Sequence, residues 1–438
     1  MPCPRGTSRV PPRAFLYFLS NMQPDWAQLP QDALRNILDK TQENPLRFAG
    51  VCKGWAWLLD EEPARHITVH PMTKCPRTLQ ECLRSFSVYV CRRKPVTENL
   101  DIFIPGAMQP ADIASATAPM AAALVHLAPC LRSIVLEPVA MADALVNSPF
   151  TDVCTSLEHV SAHVNGAIEL ARISRLMVVD LSFVGPLVGS VELPSSLVVC
   201  RLRVHESAHR SVVDRLIATL PRMHNLHGLS FMSAHHCTID VSRLAPTLSS
   251  LVVVGSAFLN LTFGNADLPG LRVLGVRRCK FDGADAAGFL SRCLRVVAFQ
   301  WVDNWSDDWV RLDLRHLPLK VVHVLSDRYR LVPACTYPPG IRKAALGGED
   351  LHGALLQPAF RASLECLMVD LHHMDADVFP FVWPGNYDLP ALKFVVAGGD
   401  FTHQVAALLG QRCPHAASTL TVRRQLVLDI EEDEDLMV

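Results

Sequence analysis

Leu248-Ser249-Ser250-Leu251-Val252-Val253 and, 23 residues further on, Leu271-Arg272-Val273-Leu274-Gly275-Val276 share one pattern: apolar, two residues, apolar, one residue, apolar. The last two apolar positions stand two apart, so on an extended chain they share a face. The same triple precedes these stretches as Leu131/Ile134/Leu136, Leu157/Val160/Ala162, Leu176/Val179/Leu181, Leu197/Cys200/Leu202 and Leu226/Leu229/Phe231. It follows them as Leu294/Val297/Phe299, Leu319/Val322/Val324, Ile341/Ala344/Leu346, Leu364/Leu367/Val369 and Leu392/Val395/Ala397. Successive starts lie between 19 and 29 residues apart. Proline precedes many of them, among them Pro194, Pro221, Pro246, Pro269, Pro318 and Pro390. Proline ends the preceding turn or helix and pushes the residue before it toward extended geometry. Each unit therefore enters its strand at a fixed point.

The period and the triple resemble the leucine-rich repeat, whose units run about 20–29 residues. The resemblance implies an α/β fold. Over 131–424 it implies a solenoid with a parallel concave sheet and a helical or irregular convex side. No single unit can bury its apolar face, so stacking neighbours makes the core. The family's usual asparagine or cysteine, eight residues after the first leucine, is met only as Asn165 and Cys279. Within 64–130, a linker with atypical first repeats, Leu83/Phe86/Val88 and Leu100/Phe103 are candidate strands, and the alanine-rich 107–123 reads as helix.

A second informative stretch runs from Trp26 to Leu59. Pro30 suits the first position of a helix, and Asp32 suits its positive end. Leu34, Ile37 and Leu38 then share one face. Asn44-Pro45 opens a second helix with Leu46, Phe48, Val51 and Cys52 on its apolar side, and Trp55, Leu58 and Leu59 continue the pattern up to Pro63. Three helices in so short a piece leave apolar surface to share. The Leu29-Pro30 opening and the Val51-Cys52-Lys53 close with Trp55 resemble the F-box. That resemblance implies a small three-helix F-box over 25–63 that docks a Skp-type adaptor and, through it, a cullin scaffold. It implies that Leu29, Pro30, Leu34, Ile37, Leu38, Leu46, Val51 and Trp55 lie at or beneath the contact. The whole chain then reads as a substrate-recognition subunit of a Skp–cullin–F-box ubiquitin ligase. Two alternatives remain at this stage: a repeat scaffold capped by an F-box-like hairpin, and a ligand-gated repeat receptor.

Composition narrows the classes. The chain has 438 residues, half of them hydrophobic, and a formal charge of −2, so neither a small core nor a basic nucleic-acid face is expected. Its 14 cysteines show no CxxC pair and read as reduced, often buried thiols. No run reaches the roughly 20 apolar residues of a membrane span. The expected location is cytoplasmic or nuclear, with residues 1–24 disordered and 425–438 an acidic tail. No GK[ST] loop, GxGxxG turn or GxSxG elbow occurs, so no catalytic residue and no cofactor is expected. His235-His236-Cys237 with Asp240, and Asp370 with His372 and His373, read as repeat loops rather than metal ligands.

Strand alternation places Asp180, Arg201, Arg203, Arg277, His323 and Asp370 on the outward side of the sheet, as candidate contacts for a target protein. Val252, Val296, Ala298, Val321, Leu325 and Val396 also point outward, which a fully solvated sheet face would show less often. Trp301, Trp305 and Trp309, spaced by four, read as one side of a helix. Trp301 is then either convex packing or an aromatic anchor for a bound protein.

Overall fold

A computed structural model describes residues 66–69, 87, 90, 97–102, 124–137, 154–165, 168–186, 191–306, 311–325, 334–370 and 389–398. The chain divides into two compact units, Met1–Leu157 and Glu158–Val438. In the first, β1 (His66–Val69), β2 (Asn99–Ile102) and β3 (Ser133–Leu136) pair in parallel. Leu100, Ile102, Ile134 and Leu136 are buried. The buried pair here is Leu100/Ile102 rather than Leu100/Phe103, and β1 falls in the expected linker. Expectations for the F-box, 107–123 and both termini concern residues outside those described.

The second unit is built on a large parallel sheet. Its strands are β4 (His159–Val164), β6 (Val178–Phe183), β8 (Val199–Val204), β9 (Gly228–Ser233), β11 (Ser250–Thr262) and β12 (Val273–Lys280). They are followed in spatial order by β13 (Ala298–Val302), β15 (Val321–Leu325), β17 (Lys343–Gly347), β18 (Cys366–Asp370) and β19 (Phe394–Gly398). Strand β10 (Cys237–Asp240) adds to the far half of β11. Two small parallel pairs lie off this path: β5 (Ile168–Glu169) with β7 (Val191–Glu192), and β14 (Arg311–Asp313) with β16 (Ala334–Thr336). Helices are few among the described residues: α1 (Arg210–Thr219), α2 (Gly283–Leu290), α3 (Gly348–Leu355) and α4 (Pro358–Ser363). The fold is therefore α/β, dominated by parallel strands joined by helical or irregular crossovers, as parallel pairing requires.

Identical registers make the core. Leu181, Leu202, Phe231, Val253, Val276, Trp301, Val324 and Leu346 stand opposite one another on successive strands, all buried. Each strand is entered through one recurring backbone stitch. The Ser249 carbonyl accepts from the N–H groups of both Arg272 and Val273. The Arg272 carbonyl repeats this with Val297 and Ala298, and the Val297 carbonyl with Lys320 and Val321.

The stitch corrects one unit. The triple assigned to Leu294/Val297/Phe299 is in fact Val296/Phe299/Trp301. Val296 N–H closes the turn onto Cys293, as Leu271 N–H does onto Leu268, while Leu294 is 62% exposed. Trp301 is thus a strand residue, 2% exposed, on the core side, and Trp305 makes an isolated bridge to Lys280. The helical reading of the tryptophan spacing fails here. The proposed aromatic anchor is enclosed by Phe281, edge-on at 4.5 Å, and Phe299, stacked at 5.7 Å.

Strand ends are irregular around β11 to β13. The β11–β12 register shifts between Val254 and Leu259, and at that bulge the chains crowd. A Cβ on Gly255 would lie 2.5 Å from the Arg278 carbonyl oxygen, so only glycine fits without backbone movement. Arg278 and Asp303, in equivalent positions of successive units, both adopt left-handed backbone (φ 54° and 51°), and Arg278 Nε reaches Asp303 Oδ2 at 3.5 Å. Beyond that kink Asn304 takes over the pairing. Its Oδ1 accepts from Cys279 N–H at 2.9 Å, and its Nδ2 donates to the Val276 carbonyl at 2.7 Å.

Candidate functional site

The outer face of the main sheet, opposite the core side, has two zones. From β4 to β9 it is polar. Asp180 and Arg201 are direct cross-strand neighbours, both half-buried, and Arg201 is followed across by Ser230. Arg203, exposed, stands beside Ser182, whose hydroxyl meets His205 Nε2 at 3.0 Å. Met232 continues this row with an exposed side chain.

From β11 to β15 the same face turns apolar. Val252, Val273, Ala298 and Val321 form a buried cluster with Val254 packed against it. Part of the burial has a local cause. Gly275 has no side chain, and its neighbours lean across the gap: a Cβ there would meet Gln300 Oε1 at 3.2 Å and Val252 methyls at 3.3 Å. Into this surface are set three polar side chains. Gln300 Nε2 lies 3.0 Å from His323 Nδ1, both residues being buried. His323 Nε2 and the Nε of half-buried Arg277 are buried atoms with no hydrogen-bond partner among the described residues.

Burial pushes the His323 imidazole down to about 4, and the Arg277 guanidinium adds to the effect. The ring is therefore neutral. With the Gln300 amide donating to Nδ1, its proton sits on Nε2. This has a consequence for stability. A histidine ordinarily titrates near 6.5, so in acid the unfolded chain binds a proton that the folded chain refuses. Stability from this group is full above pH 6.5 and falls as pH drops toward 4. Between pH 7 and 5 the loss is expected to be about 2 kcal/mol. Urea unfolding of wild type and a His323→Gln variant at both pH values checks it: the variant should lack that increment. Equal pH dependence would mean the ring is not buried neutral.

The remaining candidates are placed as follows. Asp370 ends β18, in register with Gly347 and Gly398. Trp301 belongs to the core and not to this face. The eight expected adaptor contacts, Leu29 through Trp55, lie outside the described residues, as do His372 and His373. Asp240 bonds the backbone N–H and hydroxyl of Ser242, capping a short turn, and His235 Nε2 bonds the His205 carbonyl at 3.0 Å. Among the described residues no group of three His, Cys, Asp or Glu side chains could hold a metal, and no helix is long and apolar enough to cross a membrane. Burial raises the thiols of Cys154, Cys200, Cys279 and Cys293 to about 12, which makes them poor nucleophiles.

Sequence reasoning missed two features. Gln300 reads alone as a neutral filler; its alignment with His323, at the same position of the next unit, was the available signal. A shallow depression of about 560 Å³ at the strand-entry edge, lined by Glu158, Arg175, Met177, Ser196, Asn225 and His227, draws on residues outside the repeating triple.

Compared with known protein families and with curated proteins, the chain matches none.

Proposed function

We propose that this chain is the substrate-recognition subunit of a Skp–cullin–F-box ubiquitin ligase, with no chemistry of its own. In this reading the parallel sheet is the inner surface of a leucine-rich-repeat solenoid, preceded by an F-box over 25–63. The F-box binds the Skp-type adaptor through Leu29, Pro30, Leu34, Ile37, Leu38, Leu46, Val51 and Trp55. The target protein is held on the outer sheet face. Holding it beside a ubiquitin-loaded enzyme replaces a bimolecular search with a local one. A cytoplasmic or nuclear location follows from the same reading.

The observation that carries the proposal is the division of that face. A charged zone around Asp180, Arg201 and Arg203 adjoins a buried apolar zone around Val252, Ala298 and Val321. The exposed side chains of the first zone, Arg203 and Met232, are of types enriched at protein–protein interfaces, which supports a protein-binding role for it. Support for the adaptor half is the residue pattern from Trp26 to Leu59.

A pull-down of the full chain with a purified Skp-type adaptor tests the proposal. Wild type is expected to capture the adaptor. The Leu34→Asp plus Ile37→Asp variant is expected to lose capture while its circular dichroism and main thermal transition stay unchanged, since charges on an apolar docking face oppose binding. Failure of wild type to capture, or capture by the double variant, would reduce the chain to a repeat scaffold.

A further inference from the structure

We infer that the strand-entry edge from β12 to β19 is a docking surface, and that its occupant is this chain's own acidic run at 431–435. The inference does not rest on the ligase reading.

The edge is one unbroken row. Each entry residue donates its N–H to the carbonyl of the entry residue before it: Val297 to Arg272, Lys320 to Val297, Arg342 to Lys320, Glu365 to Arg342 and Lys393 to Glu365, all at 2.8 Å. Strands stand about 4.8 Å apart, so the row spans roughly 24 Å. Arg272, Lys320, Arg342 and Lys393 are exposed along it.

Charge separates this stretch from the rest of the edge. Over each entry residue and the one after it, β12 to β19 carry five cations, Arg272, Lys320, Arg342, Lys343 and Lys393, against one acid, Glu365. The same positions from β4 to β11 hold one acid, Glu158, and no lysine or arginine. The whole chain has 41 basic and 43 acidic residues, so the excess is local. Glu365 is already shared: its Oε2 lies 2.8 Å from Lys393 Nζ and its Oε1 3.8 Å from Arg342 Nε. Even so, the Arg342 and Lys393 side chains stay 66% and 62% exposed. Lys320 meets no carboxylate among the described residues. Like charges held on one row repel, so an anionic segment lying along it is stabilised.

The choice of occupant follows from charge, length and tethering. Glu431, Glu432, Asp433, Glu434 and Asp435 form the longest acidic run of the sequence. Extended, five residues cover about 17 Å. Lys320 and Lys393, three strands apart, are separated by about 14 Å, so one run can serve both. The run begins 33 residues after Gly398, the end of β19. A stretch of that length can span up to about 110 Å, so distance does not bar the contact. Exposed ion pairs are individually weak, so a separate acidic peptide would have to be concentrated. A tethered segment meets the row at an effective concentration of millimolar order. A nucleic acid is disfavoured, because a single row that holds its own carboxylate offers no broad basic face to phosphates.

The test uses the full-length chain, with unlabelled and nitrogen-15-labelled copies mixed equally. A carbodiimide joins carboxylates to lysine amines in contact with them, and mass spectrometry maps the links. Links from 431–435 to Lys320, Lys343 or Lys393 are expected to exceed those to Lys280, at the far end of β12, by about fivefold or more, and to lie within chains of one label. Sodium chloride at about 0.5 M should cut their yield about fivefold, because it screens exposed charges. Arg272→Glu plus Arg342→Glu keeps the reactive lysines and should cut the yield as much at low salt. Arg243→Glu, in the turn between β10 and β11, should leave it unchanged. Circular dichroism checks that each variant is folded. Links no more frequent than those to Lys280 overturn the inference, as does a yield that neither salt nor the double substitution lowers. Links joining labelled to unlabelled chains also overturn it, since the occupant would then be a second copy.

Discussion

Replacing Trp301 with alanine is expected to destabilise the second unit by about 3–5 kcal/mol, the range for deleting a buried aromatic side chain. The indole is 2% exposed and contacts rings on two sides, Phe299 on its own strand and Phe281 beyond the end of β12. It occupies one slot of a row otherwise filled by smaller side chains, between Val276 and Val324. Strand spacing in that row is set by backbone hydrogen bonds near 4.8 Å, so the neighbours cannot close over a missing indole. A further effect follows from the repeating architecture. Neighbouring units contact chiefly one another, so weakening one interface partly uncouples the units on either side. Denaturant unfolding followed by far-ultraviolet circular dichroism should show a lower midpoint and a shallower slope, the signature of lost cooperativity. Trp301→Phe keeps most of the ring contact and should cost far less. A midpoint for Trp301→Ala within about 0.5 kcal/mol of wild type, the scale of a surface change, would falsify the core assignment.

Trp301 also shows where sequence and structure part. Nine of the twelve apolar triples are buried at all three positions, and they are legible because two constraints coincide in each: period two along the strand and a turn just before it. Leu294 mimics the start of a triple because leucine leads most of the others. Two residues on, Val296 makes the turn bond instead. A slip of two keeps Ala298 outward, but all three core positions move: Val296, Phe299 and Trp301 replace Leu294, Val297 and Phe299, and Val296, expected on the outer face, is buried. The same slip hid Asn304. Counted from Leu294, the eighth residue on is Val302; counted from Val296 it is Asn304, the position that Asn165 and Cys279 hold in their own units. On the outer face, alternation alone located Asp180, Arg201, Arg203, Arg277 and His323. It could not reveal which of them lack partners. That depends on Gly275 letting Val252 and Gln300 converge, a three-strand arrangement that no single segment encodes.

Asn304→Ala is expected to cost about 2–4 kcal/mol, because it strips partners from two buried backbone groups at once. Its side chain is 5% exposed and spans the gap left where β13 kinks at left-handed Asp303. Without it the Val276 carbonyl loses a 2.7 Å bond and the Cys279 N–H a 2.9 Å bond. The previous unit uses a weaker version of the same device, the Cys279 thiol donating to the Val253 carbonyl at 3.8 Å. Asn304→Leu separates the causes: it restores volume but no hydrogen bonds, so it should remain nearly as unstable as the alanine variant. Asn304→Asp keeps an acceptor for Cys279 but faces the Val276 carbonyl with a second acceptor and buries a charge, so it should be the worst of the three. Amide hydrogen exchange gives a local readout, because Cys279 N–H should lose protection before the core strands open. Retained Cys279 protection together with wild-type stability would show that the kinked strand ends find other partners.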